Sequence, residues 1–106
     1  MVIRVITFEG CPNCQATRDL VEKTVQQMHV NASIEDIQIA NEEEARRYRF
    51  LGSPTIQIDG QDIEADRRDD RASFSCRVYR TRNGITGVPP TDLLVEAINR
   101  VQRNPT

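Results

Sequence analysis

Two cysteines separated by two residues, Cys11 and Cys14, are the side chains of this sequence best equipped for chemistry; they stand in the stretch FEGCPNCQAT, directly after an apolar run. A thiol pair at this spacing can exchange electrons with a disulfide, supply half of a metal site, or fill space in a core. What the backbone does around it decides. A cysteine at the start of a helix faces N–H groups that lack intrahelical partners, together with the positive end of the macrodipole, and both favour a thiolate. Thiols in such settings ionise at pKa values of roughly 3.5–7.5, against about 8.5 for a free cysteine. The first, more exposed cysteine is then the nucleophile, and the second, one helical turn on, can attack the mixed disulfide and release product. This assigns attack to Cys11 and resolution to Cys14, with Pro12 stiffening the turn between them and Asn13 adding no charge.

The remaining soft or borderline ligands are Cys76 and His29. His29 falls at the far end of the first helix, more than ~20 Å from Cys11 at a rise of about 1.5 Å per residue, so it cannot join the pair. Cys76 has two readings. It is a buried core cysteine, or the segment carrying it folds over the pair and makes it a possible third thiol, either a second resolving group or a third ligand for a soft ion such as Hg(II) or Cu(I). The second function class is therefore a soft-metal binding or delivery module using Cys11, Cys14 and Cys76. Its neighbours Arg77, Arg80 and Arg82 are expected to be solvated.

The elements that must position these groups follow from periodicity. Residues 2 to 8, VIRVITF, are apolar at almost every position and β-branched, which predicts a central strand covered on both faces, with Arg4 the misfit. Gly10 ends it, and Pro12 suits a first helical position. Leu20, Val21, Val25 and Met28 then recur at helical spacing up to His29, which puts Cys11 at or next to the N-cap. Residues 33 to 39 read as a more exposed strand. Asn41, followed by three glutamates, opens a second helix, with Glu44 at the capping-box position; it is expected to reach about Leu51 and stop at Gly52. Ile56 and Ile58 alternate, Asp59-Gly60 marks a tight turn, and Ile63 and Ala65 resume the alternation, which predicts a hairpin. Phe8, Tyr48 and Phe50 are expected core residues. The last helix is announced by Pro89-Pro90-Thr91-Asp92 and carries Leu93, Leu94, Ala97, Ile98 and Val101 on one face. Between hairpin and last helix, residues 66 to 71 (DRRDDR) read as a solvated loop. Phe74, Cys76 and Val78 then alternate with Ser75, Arg77 and Tyr79 as a strand that turns at Asn83-Gly84.

The order strand, helix, strand, helix, strand, strand, helix predicts a single α/β domain over 1–106, with a parallel pair from the first strand–helix–strand unit and an antiparallel pair from the hairpin. A chain of 106 residues can bury one core without disulfides. The net charge of −2 argues against a nucleic-acid binder, which needs a basic face. The longest apolar runs fall far short of the roughly 20 residues of a membrane span, and the N-terminus lacks a secretory pattern, so a cytoplasmic location is expected. An odd cysteine count excludes a fully paired disulfide framework.

CPNC after a buried strand, with GSPTI opening a hairpin about forty residues later, resembles the thioredoxin/glutaredoxin superfamily, and the element order is similar to that fold. The resemblance implies a mixed four-stranded sheet with helices on both faces and an insertion before the last helix. It implies a cis peptide bond before Pro54, packed against the cysteine pair, although only ~5–6% of X–Pro bonds in folded proteins are cis. It further implies that Ser53 offers backbone groups to an extended substrate in the manner of an added strand, so that Pro12, Ser53, Pro54 and Thr55 form the substrate-binding set. The CPxC form is closer to glutaredoxins than to thioredoxins, but Glu9 stands near where glutaredoxins tend to carry a lysine, and their TVP is GSP here, so glutathione is not the expected substrate. CPNC, GSPT, SCRVY and GVPP together resemble small bacterial thioredoxin-like proteins sometimes labelled in connection with mercury resistance. The function implied is thiol–disulfide oxidoreduction of a protein or small-molecule disulfide, with no organic cofactor.

Overall fold

The first strand, β1 (Val2–Phe8), lies inside a mixed four-stranded sheet, as its two-sided apolar sequence requires. The computed structural model of the protein describes residues 1–103. β2 (Ser33–Ile39) runs parallel to β1 from Val2↔Ser33 to Phe8↔Ile39, and β3 (Thr55–Ile58) runs antiparallel to it from Ile3↔Ile58 to Ile6↔Thr55. β4 (Gln61–Asp62) closes the order β2-β1-β3-β4. The edge strand β2 is the more exposed one, as read from its sequence.

Alternation along β1 sends side chains into two cores. Ile3 and Val5 join Ile56 and Ile58 of β3, Val21 of α1 (Cys14–Met28) and Leu94, Ala97 and Ile98 of α3 (Thr91–Arg103). Ile6 points to the other face, where it meets Ile39, Phe50 and Ala45 of α2 (Glu42–Arg47). Phe8 and Tyr48 pack against this second cluster while partly buried. Each fully buried aliphatic side chain contributes about 1.5–3 kcal/mol relative to exposure, so the two clusters fix which helix covers which face. Arg4, on the α2 side of β1, escapes this core at the strand's start, where it pairs with Glu35 at 3.7 Å.

Three boundaries differ from the sequence reading. α1 begins at Cys14 with Asn13 as N-cap, so Pro12 sits in the preceding turn rather than at the first helical position, and Cys11 lies two residues before the cap. α2 stops at Arg47 instead of running to Leu51: Arg49 takes the left-handed conformation (φ 55°), the Phe50 N–H closes back on the Ala45 carbonyl at 2.8 Å, and the chain turns inward to bury Phe50. Its start is as expected, since Asn41 Oδ1 accepts from the Glu44 N–H at 2.9 Å while Glu44 Oε1 accepts from the Ala40 N–H at 2.7 Å. The third difference is β4, which ends at Asp62. Asp62 Oδ1 accepts from the Glu64 N–H, turning the backbone out of the ladder, and Ala65 begins a short 3-10 turn, Ala65–Arg67.

The segment before α3 forms a small hairpin of its own, β5 (Tyr79–Thr81) with β6 (Gly84–Thr86), turning at Arg82-Asn83. The strand expected from Phe74 starts only at Tyr79, with an isolated bridge at Cys76; Phe74, Ser75 and Cys76 are all exposed, and the alternation that begins at Cys76 has the phase reversed, with Val78 exposed and Arg77 and Tyr79 buried.

Candidate active site

The cysteine pair sits where the central strand gives way to α1. The Cys11 N–H donates to the Phe8 carbonyl at 3.2 Å, and the Cys14 N–H reaches the Cys11 carbonyl at 3.5 Å, so the turn is closed on itself before the helix begins. Asn13 caps with its backbone: its carbonyl accepts from the Thr17 N–H at 3.1 Å and from the buried Thr17 hydroxyl at 2.7 Å. Cys14 is the first residue of α1, and its thiol faces the Thr7 hydroxyl of β1 at 3.6 Å. Both thiols are free and half-buried.

The Ser53–Pro54 bond is cis, as the resemblance implies. The Ser53 hydroxyl accepts from the Phe8 N–H at 3.3 Å, which ties the proline loop to the end of β1, and the Thr55 hydroxyl donates to the Gly52 carbonyl. Ser53, Pro54 and Thr55 are all buried.

The backbone groups of Ser53 are already taken. Its N–H donates to the Ser75 carbonyl at 2.8 Å, and its carbonyl accepts from the Arg77 N–H at 2.9 Å, an isolated parallel bridge centred on Cys76. The strand position at which the resemblance puts an extended substrate is filled from within the chain.

Arg77 holds that bridge in place. Its side chain is 1% exposed, which corrects the expectation of a solvated arginine. It forms a two-pronged pair with Asp62 at 2.8 and 2.9 Å, reaches Glu64 Oε1 at 2.7 Å, donates to the Thr55 hydroxyl at 3.2 Å, and lies 4.5 Å from the ring centre of Tyr79. Burial works against its charge, but hydrogen bonds to Asp62, with the surrounding field and the bond to Glu64, outweigh it and hold the guanidinium more firmly protonated than an ordinary arginine. Burial pushes the Tyr79 phenol up, Arg77 opposing, so it remains a neutral donor to the Pro54 carbonyl at 2.6 Å. Gly52 makes the approach possible: its φ is 123°, and a Cβ there would stand 2.8 Å from Arg77 Cβ. On the other side, a Cβ on Gly87 would collide with the Asn13 side chain, so the insertion also abuts the cysteine turn.

Cys76 is exposed, which overturns the core reading, and it lines an open groove of about 600 Å³ with Phe8, Glu9, Gln38 and Phe74. Among the described residues no group of three His, Cys, Asp or Glu side chains is placed to hold a metal ion, so the geometry does not support Cys76 as a third ligand beside Cys11 and Cys14. His29 caps the far end of α1 in a left-handed conformation. No helix among the described residues is long and apolar enough to cross a membrane.

A family model described as a thioredoxin domain matches residues 1–63. The chain belongs to this family. No curated protein and no solved structure gives a significant match. The match to the thioredoxin domain includes Cys11, Cys14 and Pro54 and ends at Ile63, so Cys76, Arg77 and Tyr79 lie beyond it. Membership supports a redox-type function in general terms. Sequence reasoning missed the cluster of Asp62, Glu64, Arg77 and Tyr79. Its one available signal was DIE at 62 to 64, where two carboxylates at strand spacing share a face opposite buried Ile63.

Proposed function

We propose that the protein is a thiol–disulfide oxidoreductase in which Cys11 attacks and Cys14 resolves. The observation that carries this reading is the position of the pair: Cys14 is the first residue of α1, and Cys11 is half-exposed in the turn just before it. The Cys11 thiolate attacks one sulfur of a substrate disulfide, forming a mixed disulfide and expelling the first substrate thiolate. Cys14, poised against Thr7 at 3.6 Å, loses its proton and attacks Cys11 Sγ. The second substrate thiolate leaves, the pair is left as a Cys11–Cys14 disulfide, and two electrons have passed to the substrate. A thiol or dithiol reductant returns the pair to its starting state, consistent with work in a reducing compartment such as the cytoplasm. Pro12, Pro54 and Thr55 shape the surroundings of the pair.

The test is a pair of single substitutions. Cys11→Ser should abolish disulfide reduction. Cys14→Ser should accumulate a mixed disulfide between Cys11 and the substrate, visible as a mass increment in intact-protein mass spectrometry. Retained turnover in Cys11→Ser would rule the reading out.

A further inference from the structure

An extended peptide that docks on a sheet edge is held by main-chain hydrogen bonds to unpaired backbone groups. Ser53 has none to offer, since both its N–H and its carbonyl are bonded to residues 75 and 77 of the same chain. A segment held only by those two bonds could be displaced by a competing strand. This one is held by more. Arg77 is sealed beneath it on Asp62, Glu64 and Thr55, the neighbouring Tyr79 is bonded to the Pro54 carbonyl, and Ser73 N–H bonds the Phe50 carbonyl at 2.8 Å. Lifting the segment would expose a buried charge pair and leave Asp62 without its partner.

We infer that the segment from Ser75 to Arg77 is a built-in occupant of the docking strand, and that the site therefore recognises disulfides around the sulfurs alone, gaining nothing from an extended polypeptide that carries them. Arg77 is the positioning residue for this mode of recognition. The inference rests on the redox reading of Cys11 and Cys14 and specifies its substrate class.

The experiment compares two substrates with the same reacting group: the symmetric disulfide of N-acetylcysteine amide, and that of a nonapeptide with cysteine at its centre and extended, uncharged flanks. Two main-chain hydrogen bonds from strand addition would favour the peptide on the order of tenfold in kcat/KM. For the wild-type protein the two values should lie within about threefold of each other, and in Arg77→Met the peptide should gain on the order of tenfold relative to the small disulfide. A wild-type preference for the peptide beyond that threefold margin overturns the inference. A second measurement needs neither turnover nor the variant: the nonapeptide with serine in place of its cysteine is titrated into the wild-type protein and followed by amide resonances. Unmoved Ser53 and Arg77 N–H signals support the built-in strand, and their displacement overturns it. Loss of turnover with both disulfides would instead count against the redox reading, while the titration still decides the docking strand.

Discussion

In residues 1–63 the inward positions of the strands are filled by Ile3, Val5, Ile56 and Ile58, whereas in residues 74–79 they are filled by Arg77 and Tyr79 while Phe74 and Val78 face outward. The first region coheres by apolar burial, which is non-directional and tolerates modest repacking. The second coheres by a buried guanidinium with fixed partners, which specifies one register because a shift would strand a charge. A segment that must lie in one position across the proline loop, and whose inward side chains are an arginine and a tyrosine, is held by direction as well as by area. The two regions meet at Ser53: one carries Cys11 and Cys14, and the other takes up the backbone groups beside the proline loop.

The comparison can be broken most forcefully at Arg77. Removing one partner of a buried ion pair costs about 3–5 kcal/mol, so Arg77→Met should lower unfolding free energy by that order in denaturant titration. Replacing Asp62 and Arg77 together by apolar residues should cost less than the sum of the single changes, because the two-pronged pair is removed whole and Glu64 keeps Arg67 at 3.6 Å. Next in size is Gly52→Ala, which places a Cβ against Arg77 in a left-handed backbone and should cost about 1–3 kcal/mol by the same titration. A smaller loss of about 1 kcal/mol is expected for Asn41→Ala, which removes the cap of α2 and should leave the Ser53 bridge intact. The smallest effect is a pH dependence. Burial raises Tyr79 above its ordinary value of 10.0, so its contribution is complete below pH 10 and is lost as pH rises beyond it, whereas Arg77, raised above an already higher ordinary value, stays charged through this range. Thermal melts should therefore be flat in this respect through neutral pH and fall above pH 10, with a shallower fall in Tyr79→Phe.

The sequence made the first region legible because its signals are local or periodic. VIRVITF demanded a two-sided strand, Asn41 with Glu44 announced a cap, Asp59-Gly60 announced a turn, and all three are present. The cysteine pair was legible from its spacing next to a helix start, and the cis bond before Pro54 only through the resemblance carried by CPNC and GSPTI. Helix ends were less so, because the stop of α2 depends on Phe50 finding a core built from Ile6 and Ile39, far away in sequence. The segment from 74 to 79 was misread for a physical reason. Hydrophobic alternation assumes that arginine faces water, and nothing local to SCRVY reveals that two carboxylates from the hairpin wait inside. The reversed phase also turned Cys76 outward and gave both backbone groups of Ser53 partners within the chain.

The account stands most directly on the bridge at Ser53, and native-state amide hydrogen exchange reads it residue by residue. If the docking strand is built in, the Ser53 and Arg77 amides should be protected to within about tenfold of the Gln57 amide, which pairs with Arg4 in the central ladder. Exchange of those two amides at the rate of the exposed loop around Asp69 would show a segment that opens freely, and would contradict it.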